Sequence, residues 1–268
     1  MQSSCNQFSL FQRCLLLVFL WSSGLVGCST VPTHFSPVNP LPIAQFRHDA
    51  FDAVLREHVL DGTVDYPAIA RDVRFNTYLR QLDRIDPSEY RNEHESLAFW
   101  INAYNALAIQ GILAGDSPST TTGKYRYFIG RKFRIGGGDI NLWGLEHQIL
   151  IPRGEPRVHF AIVCASASCP VLRSEAFDPE RLDAQLDGAA RQFINDVRRN
   201  RFDRSTRTAQ VSMIFDWYRD EFERVAGSLA RYLGRYVNDP AMARALSSEE
   251  FAIEFLPYDW SLNGIAPR

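Results

Sequence analysis

The stretch HFAIVCASASCP, residues 159–170, sets His159, Cys164 and Cys169 close together, with Glu146 and His147 a little upstream in LEHQIL. These residue types support four kinds of chemistry. A thiolate, lowered by a neighbouring imidazolium whose ring a carboxylate or amide orients, is a nucleophile. On that reading Cys169 or Cys164 attacks an amide or a thioester. His147 or His159 serves as base, and Glu146, Asn102 or Asn105 orients it. A second possibility is a disulfide across the four-residue turn between the cysteines, since a turn can bring their Cα atoms within the ~4.4–6.8 Å a bridge requires. The third is zinc, on a nominal Cys₂His₂ set of His147, His159, Cys164 and Cys169, although the cysteine spacing matches no strong zinc pattern. Fourth, both cysteines serve as small buried hydrophobes. The site is expected to hold no metal and no cofactor, zinc being the alternative. Asn102, Asn105, Arg153, Ser168 and Asp259 complete it as candidate binding residues.

The elements that must position these groups follow from periodicity. SLAFWINAYNALAIQGIL, residues 96–113, is apolar nearly all round and predicts a buried helix. Asn102 and Asn105 share one face of it, either tying loops down or lining a pocket. RVHFAIVCA reads as a buried strand over Val158–Ala165, which turns His159 and Cys164 to opposite faces and leaves Cys169 the freer partner. Amphipathic helices are predicted near residues 46–60, 75–85, 179–196 and 216–237. Short strands with a Gly136–Gly138 turn are predicted before the Glu146-His147 helix, and others near 201–215 and 251–256. His48, His58 and His94 sit among charges and read as solvated helix faces. Arg198, Arg199 and Arg201 read as a solvated helix end. In the terminal YDW, Tyr258 and Trp260 read as packing residues and Asp259 as a cap. Helices at both ends with short strands between them predict an α+β fold, a helix-rich single domain with a small central β-sheet.

Composition limits the partners. The chain is 46% hydrophobic and 22% charged with a net charge of −2, and no basic face is clustered enough for nucleic acid. At the N-terminus, Arg13 precedes an apolar run from Cys14 to Trp21. That run is too short for the ~20 residues a membrane span takes and reads as a signal-peptide core. LVGC, residues 25–28, resembles a bacterial lipobox, which implies cleavage after Gly27 and lipidation of Cys28. Ser29 resembles the outer-membrane sorting pattern. The chain then divides into a leader at 1–27, a Pro-rich tether at 28–45 expected to be extended and unpacked, and a globular domain at 46–268. The bilayer, through Cys28, is the expected anchor, on the periplasmic face of the outer membrane. An unidentified periplasmic substrate or protein is the expected partner.

AFWINAYNAL, LEHQIL, HFAIVCASASCPVL and PYDWSLN, in this order, resemble the domain of unknown function 547 family over about Phe46 to Asn263. That resemblance implies no settled activity. Family members usually carry an arginine directly after the Glu-His helix, and here ILIPR delays Arg153 by a proline. A Cys-His pair would also resemble papain-like or transglutaminase-like hydrolases. Those place the cysteine at the start of a buried helix, whereas this buried helix carries asparagines. The competing reading is a non-catalytic binding or scaffold lipoprotein of the cell envelope with a structural Cys164–Cys169 disulfide.

Overall fold

Asp61 and Gly62 both adopt left-handed φ, +48° and +79°, the combination that closes a two-residue hairpin. They join β1 (Val59–Leu60) to β2 (Thr63–Asp65), and β1 continues directly from helix α1 (Asp49–His58). The computed structural model describes residues 31–248 and 250–267. The leader, Cys28 and Ser29 lie outside the described residues. Asp65 caps α2 (Tyr66–Arg71) and Asp72 caps α3 (Val73–Leu82), each through its carboxylate on a free backbone N–H.

The buried helix is α4 (Glu93–Leu113). Asn92 caps it by accepting from His94 N at 2.8 Å, and Glu93 and Glu95 favour its positive end. From Ser96 to Ile112 every residue but Gln110 is buried. α4 is thus the axis of the larger core, with α2 and α3 packed against it and α1 packed on those two. Among the described residues no helix is long and apolar enough to cross a membrane. α5 (Thr121–Tyr125) runs on into a π-helical turn over Arg126–Gly130. After it come β3 (Phe133–Ile135), β4 (Gly138–Ile140) and α6 (Leu142–Gly144), which continues as a second π-helical turn over Leu145–Leu150. α7 (Leu182–Ile194) spans both cores: Leu182 and Leu186 enter the larger one, Phe193 and Ile194 the smaller. The smaller core also takes α8 (Ile214–Trp217), α9 (Arg219–Ala226), α10 (Leu229–Gly234) and α11 (Pro240–Ser248).

The fold is α+β, a helix-rich single domain. Among the described residues the strands do not form one central sheet but three small ones. β5 (Arg201–Asp203), β6 (Thr208–Ser212) and β7 (Ala252–Leu256) form one, with β6 and β7 parallel. β1, β2 and β8 (Gly264–Ile265) form another, and β3 pairs with β4.

Several expectations are corrected. Residues 158–165 are not a strand. Pro156–Phe160 is a 3₁₀ helix, capped by Glu155 accepting from Arg157 N at 3.0 Å, and an irregular chain follows. An apolar run of this length has no periodicity that separates strand from other buried chain. The Pro-rich residues 31–45 are not unpacked. Val31, Phe35, Leu41 and Ile43 lie against the larger core, and Ser36 N and Leu41 N bond to Gly136 O and Arg84 O, each at 2.8 Å. Gly137 serves this approach, for a Cβ there would stand 2.2 Å from Ser36 O. His48 is not on a solvated face either: it packs among Phe46, Tyr78 and Phe99 with Nδ1 2.8 Å from the Tyr78 hydroxyl. His58 pairs with Asp72 at 2.9 Å, and of these three histidines only His94 is exposed.

Candidate functional site

Residues 158–169 run along the seam between the two cores, with Phe160 in the smaller and Ala161 to Val163 in the larger. A buried chain outside a sheet must still satisfy its peptide groups. Asn105 does this from α4: its Nδ2 donates to Ala161 O at 3.0 Å and its Oδ1 accepts from Val163 N at 2.9 Å. One side-chain amide thereby takes the place of a neighbouring strand. Asn102, one turn earlier, treats Phe177 the same way, donating to its O and accepting from its N, both at 2.8 Å. Of the two readings of these asparagines, the geometry is that of loops tied down.

Beyond Val163 the chain turns sharply. Ala165 sits at φ +60°, a left-handed conformation that costs a non-glycine residue roughly 1–3 kcal/mol. Two outside elements hold this turn. Arg199 donates from Nε to Cys169 O at 3.0 Å and from Nη2 to Ala167 O at 2.7 Å. Its side chain is only 10% exposed, so it is not the solvated arginine the sequence led one to expect. The segment 258–263 pairs alongside the turn: Ala167 N reaches Ser261 O at 2.7 Å, Asn263 N reaches Ala165 O at 3.2 Å, and Ser168 N reaches Asp259 O at 3.1 Å. Ser168 Oγ accepts from Asp259 N at 2.8 Å, and Asp259 Oδ1 accepts from Ser261 N at 2.9 Å. Ser168 and Asp259 therefore fasten this segment to the turn, in keeping with the capping role expected of Asp259.

The two sulfurs meet inside this turn. Both cysteines are free, and their Sγ atoms lie 2.7 Å apart. The Cys164 N–H donates to Cys169 Sγ at 2.8 Å. Cys164 Sγ has the Ser166 hydroxyl at 3.1 Å and the Tyr258 hydroxyl at 3.3 Å, and Ser166 also donates to the Tyr258 oxygen at 3.1 Å. Burial opposes ionisation of Cys164, but hydrogen bonding at its sulfur, from the Cys169 thiol first and then with the Ser166 and Tyr258 hydroxyls, outweighs it and holds this thiol below its ordinary range. Burial pushes Cys169 well up, and its role as donor to Cys164 adds to this. Burial likewise keeps Tyr258 protonated, so its O–H remains a donor. Cys164 is partly exposed, whereas Cys169 is buried.

The histidines lie elsewhere. His147 stacks on Trp143 with centroids 4.5 Å apart, and its Nδ1 is 3.1 Å from Trp143 O. His159 is buried beneath Tyr218, with centroids 3.7 Å apart, and its Nε2 is 3.2 Å from Glu221 Oε2. Among the described residues, neither imidazole hydrogen-bonds a sulfur. The Cys₂His₂ set does not assemble. Among the described residues, the one group of three with ligand atoms within 4.8 Å of one another is Glu57, His58 and Asp72, and there the Arg74 guanidinium already bonds Asp72 and Glu57. Arg153 is held at the start of α4 by Glu93 and by Ser96 Oγ at 2.8 Å.

Glu146 is buried and accepts two phenols, Tyr104 at 3.2 Å and Tyr218. Burial first, and then the Glu146 charge, keeps both phenols protonated. The same charge raises Cys164, opposing the hydrogen bonds that lower it. Tyr104, Tyr218, Ser166 and Glu221 thus belong to the neighbourhood without any signal taken from them in the sequence, while Tyr258, expected only to pack, and Arg199, expected to be solvated, prove to be part of it. For Tyr104 the available signal was a hydroxyl on an otherwise apolar helix, beside the asparagines. For Arg199 and Tyr218 no local signal existed.

No curated protein matches the chain, and no solved structure does. Residues 87–194, which hold the first three of the four quoted motifs and stop short of PYDWSLN, match the family model described as Protein of unknown function, DUF547.

Proposed function

We propose that this chain is a lipid-anchored protein of the bacterial envelope, on the periplasmic face of the outer membrane, whose Cys164 is a nucleophilic thiol. The observation that carries the chemistry is the set of donors on one sulfur. Cys164 Sγ receives the Tyr258 hydroxyl and the Cys169 thiol, with Ser166 beside them, and it is the more exposed of the pair. Donors aimed at a sulfur stabilise the thiolate, which is the reactive form. Attack on an amide would also require a group to protonate the leaving nitrogen. The histidines expected to do so touch other partners, which leaves Tyr258 and Ser166 as the proton carriers in contact with the sulfur. Attack on a thioester or a disulfide needs no such help, because a thiolate leaves readily.

Alkylation rate against pH, with the labelled cysteine identified by mass spectrometry, tests this. Cys164 should label first, with a midpoint below the ~8.5 of free cysteine, while Cys169 stays unlabelled in the folded protein. If both sulfurs are inert until the protein unfolds, the scaffold reading with a purely structural cysteine pair replaces this one. The anchor rests on the leader and Leu25–Cys28 motif. Cys28→Ser should abolish incorporation of a labelled fatty acid and release the protein from the membrane fraction; labelling that survives the substitution would remove the basis for anchoring there.

A further inference from the structure

We infer that Cys164 and Cys169 form a two-sulfur exchange centre that takes a disulfide as its substrate. This rests on the reading of Cys164 as a nucleophile and adds the reaction partner. The sulfurs are 2.7 Å apart, and a disulfide bond measures about 2.05 Å. Closing the bond therefore requires a movement of less than about 1 Å. The turn around them is held from outside by Arg199, Asn105 and residues 258–263, none of which contributes a sulfur, so reduced and bridged forms fit the same frame. The pair is asymmetric in the way sequential attack requires. Cys164 is partly exposed and carries the donors. Cys169 is 4% exposed, which suits it to the second, internal attack. Beside the outer sulfur lies an aromatic cluster, one ring of which, Trp260, carries Lys124 Nζ 3.9 Å from its centroid. The rings of Trp217, Tyr258 and Trp260, all partly exposed, stand 4.6–5.8 Å from one another, and the Tyr258 hydroxyl ends this cluster on Cys164.

The chemistry balances without another reagent. The Cys164 thiolate attacks one sulfur of the substrate disulfide, forming a mixed disulfide and expelling the other substrate sulfur as a thiolate that takes a proton from water. Cys169 then gives up its proton and attacks Cys164. The Cys164–Cys169 bond forms, the mixed disulfide breaks, and the second substrate thiolate takes the proton that Cys169 released. Two electrons have passed from the cysteine pair to the substrate disulfide, which ends as two thiols. With a dithiol substrate and the bridged protein, the same steps run in reverse.

The test uses the full mature chain in reduced form and intact-mass spectrometry. One arm offers a synthetic peptide with a single internal disulfide, the other oxidised glutathione. Wild type should lose two hydrogens in mass and release reduced probe. Cys169→Ser should stop at a mixed disulfide on Cys164, and Cys164→Ser should do neither. Turnover of the peptide alone identifies a polypeptide disulfide as substrate; turnover of glutathione identifies a low-mass one. The inference is overturned if wild type and Cys169→Ser end in the same stable adduct, if Cys164→Ser forms adducts as fast as wild type, or if neither probe reacts with a protein whose Cys164 alkylates normally. In the first and third of these cases the nucleophile reading stands; in the second, adducts that form without the Cys164 sulfur remove that reading as well. Failure of alkylation itself removes that reading instead. Acid quenching of wild type at early times, which should trap the mixed disulfide on Cys164, gives the same decision if the serine variants do not fold.

Discussion

Tyr258 shows how far one hydroxyl can set the behaviour of a neighbour 94 positions away. A hydrogen bond to a charged group contributes ~1.5–3 kcal/mol, and one pH unit corresponds to about 1.4 kcal/mol. Removing the phenolic O–H with Tyr258→Phe leaves the ring packing against Trp217 and Trp260 intact. Its expected effect is to move the midpoint of Cys164 alkylation upward by about one pH unit. The direction follows from the donor, since a thiolate that loses a hydrogen bond binds its proton more tightly. A profile identical to wild type would show that the hydroxyl does not act on the sulfur. At this scale the sequence was legible for residue types that stand out against their surroundings. Two cysteines, a glutamate and two asparagines in apolar runs were each recognisable as needing a partner. The partners were not recognisable, because tyrosine and arginine have ordinary places in any fold, and only long-range contact turns Tyr258 or Arg199 into part of a site.

At the scale of elements, α4 does the work of a strand. Its Asn105 supplies a buried, irregular chain with the donor and acceptor that a sheet neighbour would have given, and Asn102 repeats this at Phe177. Asn105→Ala strands two buried peptide groups, each costing ~1–3 kcal/mol. Urea unfolding should show a loss of about 3 kcal/mol, and Asn102→Ala a similar one. A loss below about 0.5 kcal/mol, as for ordinary surface substitutions, would mean that water replaces the amide without cost. α4, the hairpin at the Gly136–Gly138 turn and the amphipathic helices could be read from apolar runs, periodicity and turn residues because they satisfy their own backbones, whereas β1 lay hidden at the end of a predicted helix. Residues 158–165 could not, because their hydrogen bonds are met by a side chain from 56–58 positions away. The Pro-rich segment misled for a related reason. Its few apolar residues are partly buried against the larger core, and the Gly136–Gly137 turn leaves room for the chain at Phe35 and Ser36.

For the whole molecule, stability is linked to pH through His48. Burial holds its imidazole down to about 4 from an ordinary 6.5, with Asp178 opposing. The unfolded chain takes up this proton first, so full stability is present above pH 6.5 and falls as the pH drops toward 4. The loss is at most about 3 kcal/mol. Urea midpoints should decline between pH 6.5 and 5, where few carboxylates titrate, and His48→Gln should flatten that part of the curve. A wild-type curve already flat there would mean that the ring is hydrated in the folded protein.

Residues 258–263 brace the turn that holds the cysteines, although the ribosome reaches Tyr258 94 residues after Cys164. At ordinary translation speeds of ~5–20 residues per second, that is a delay of roughly 5–20 s. Throughout this interval the nascent sulfurs lack their brace and the Tyr258 hydroxyl, so their final reactivity is acquired late in biosynthesis.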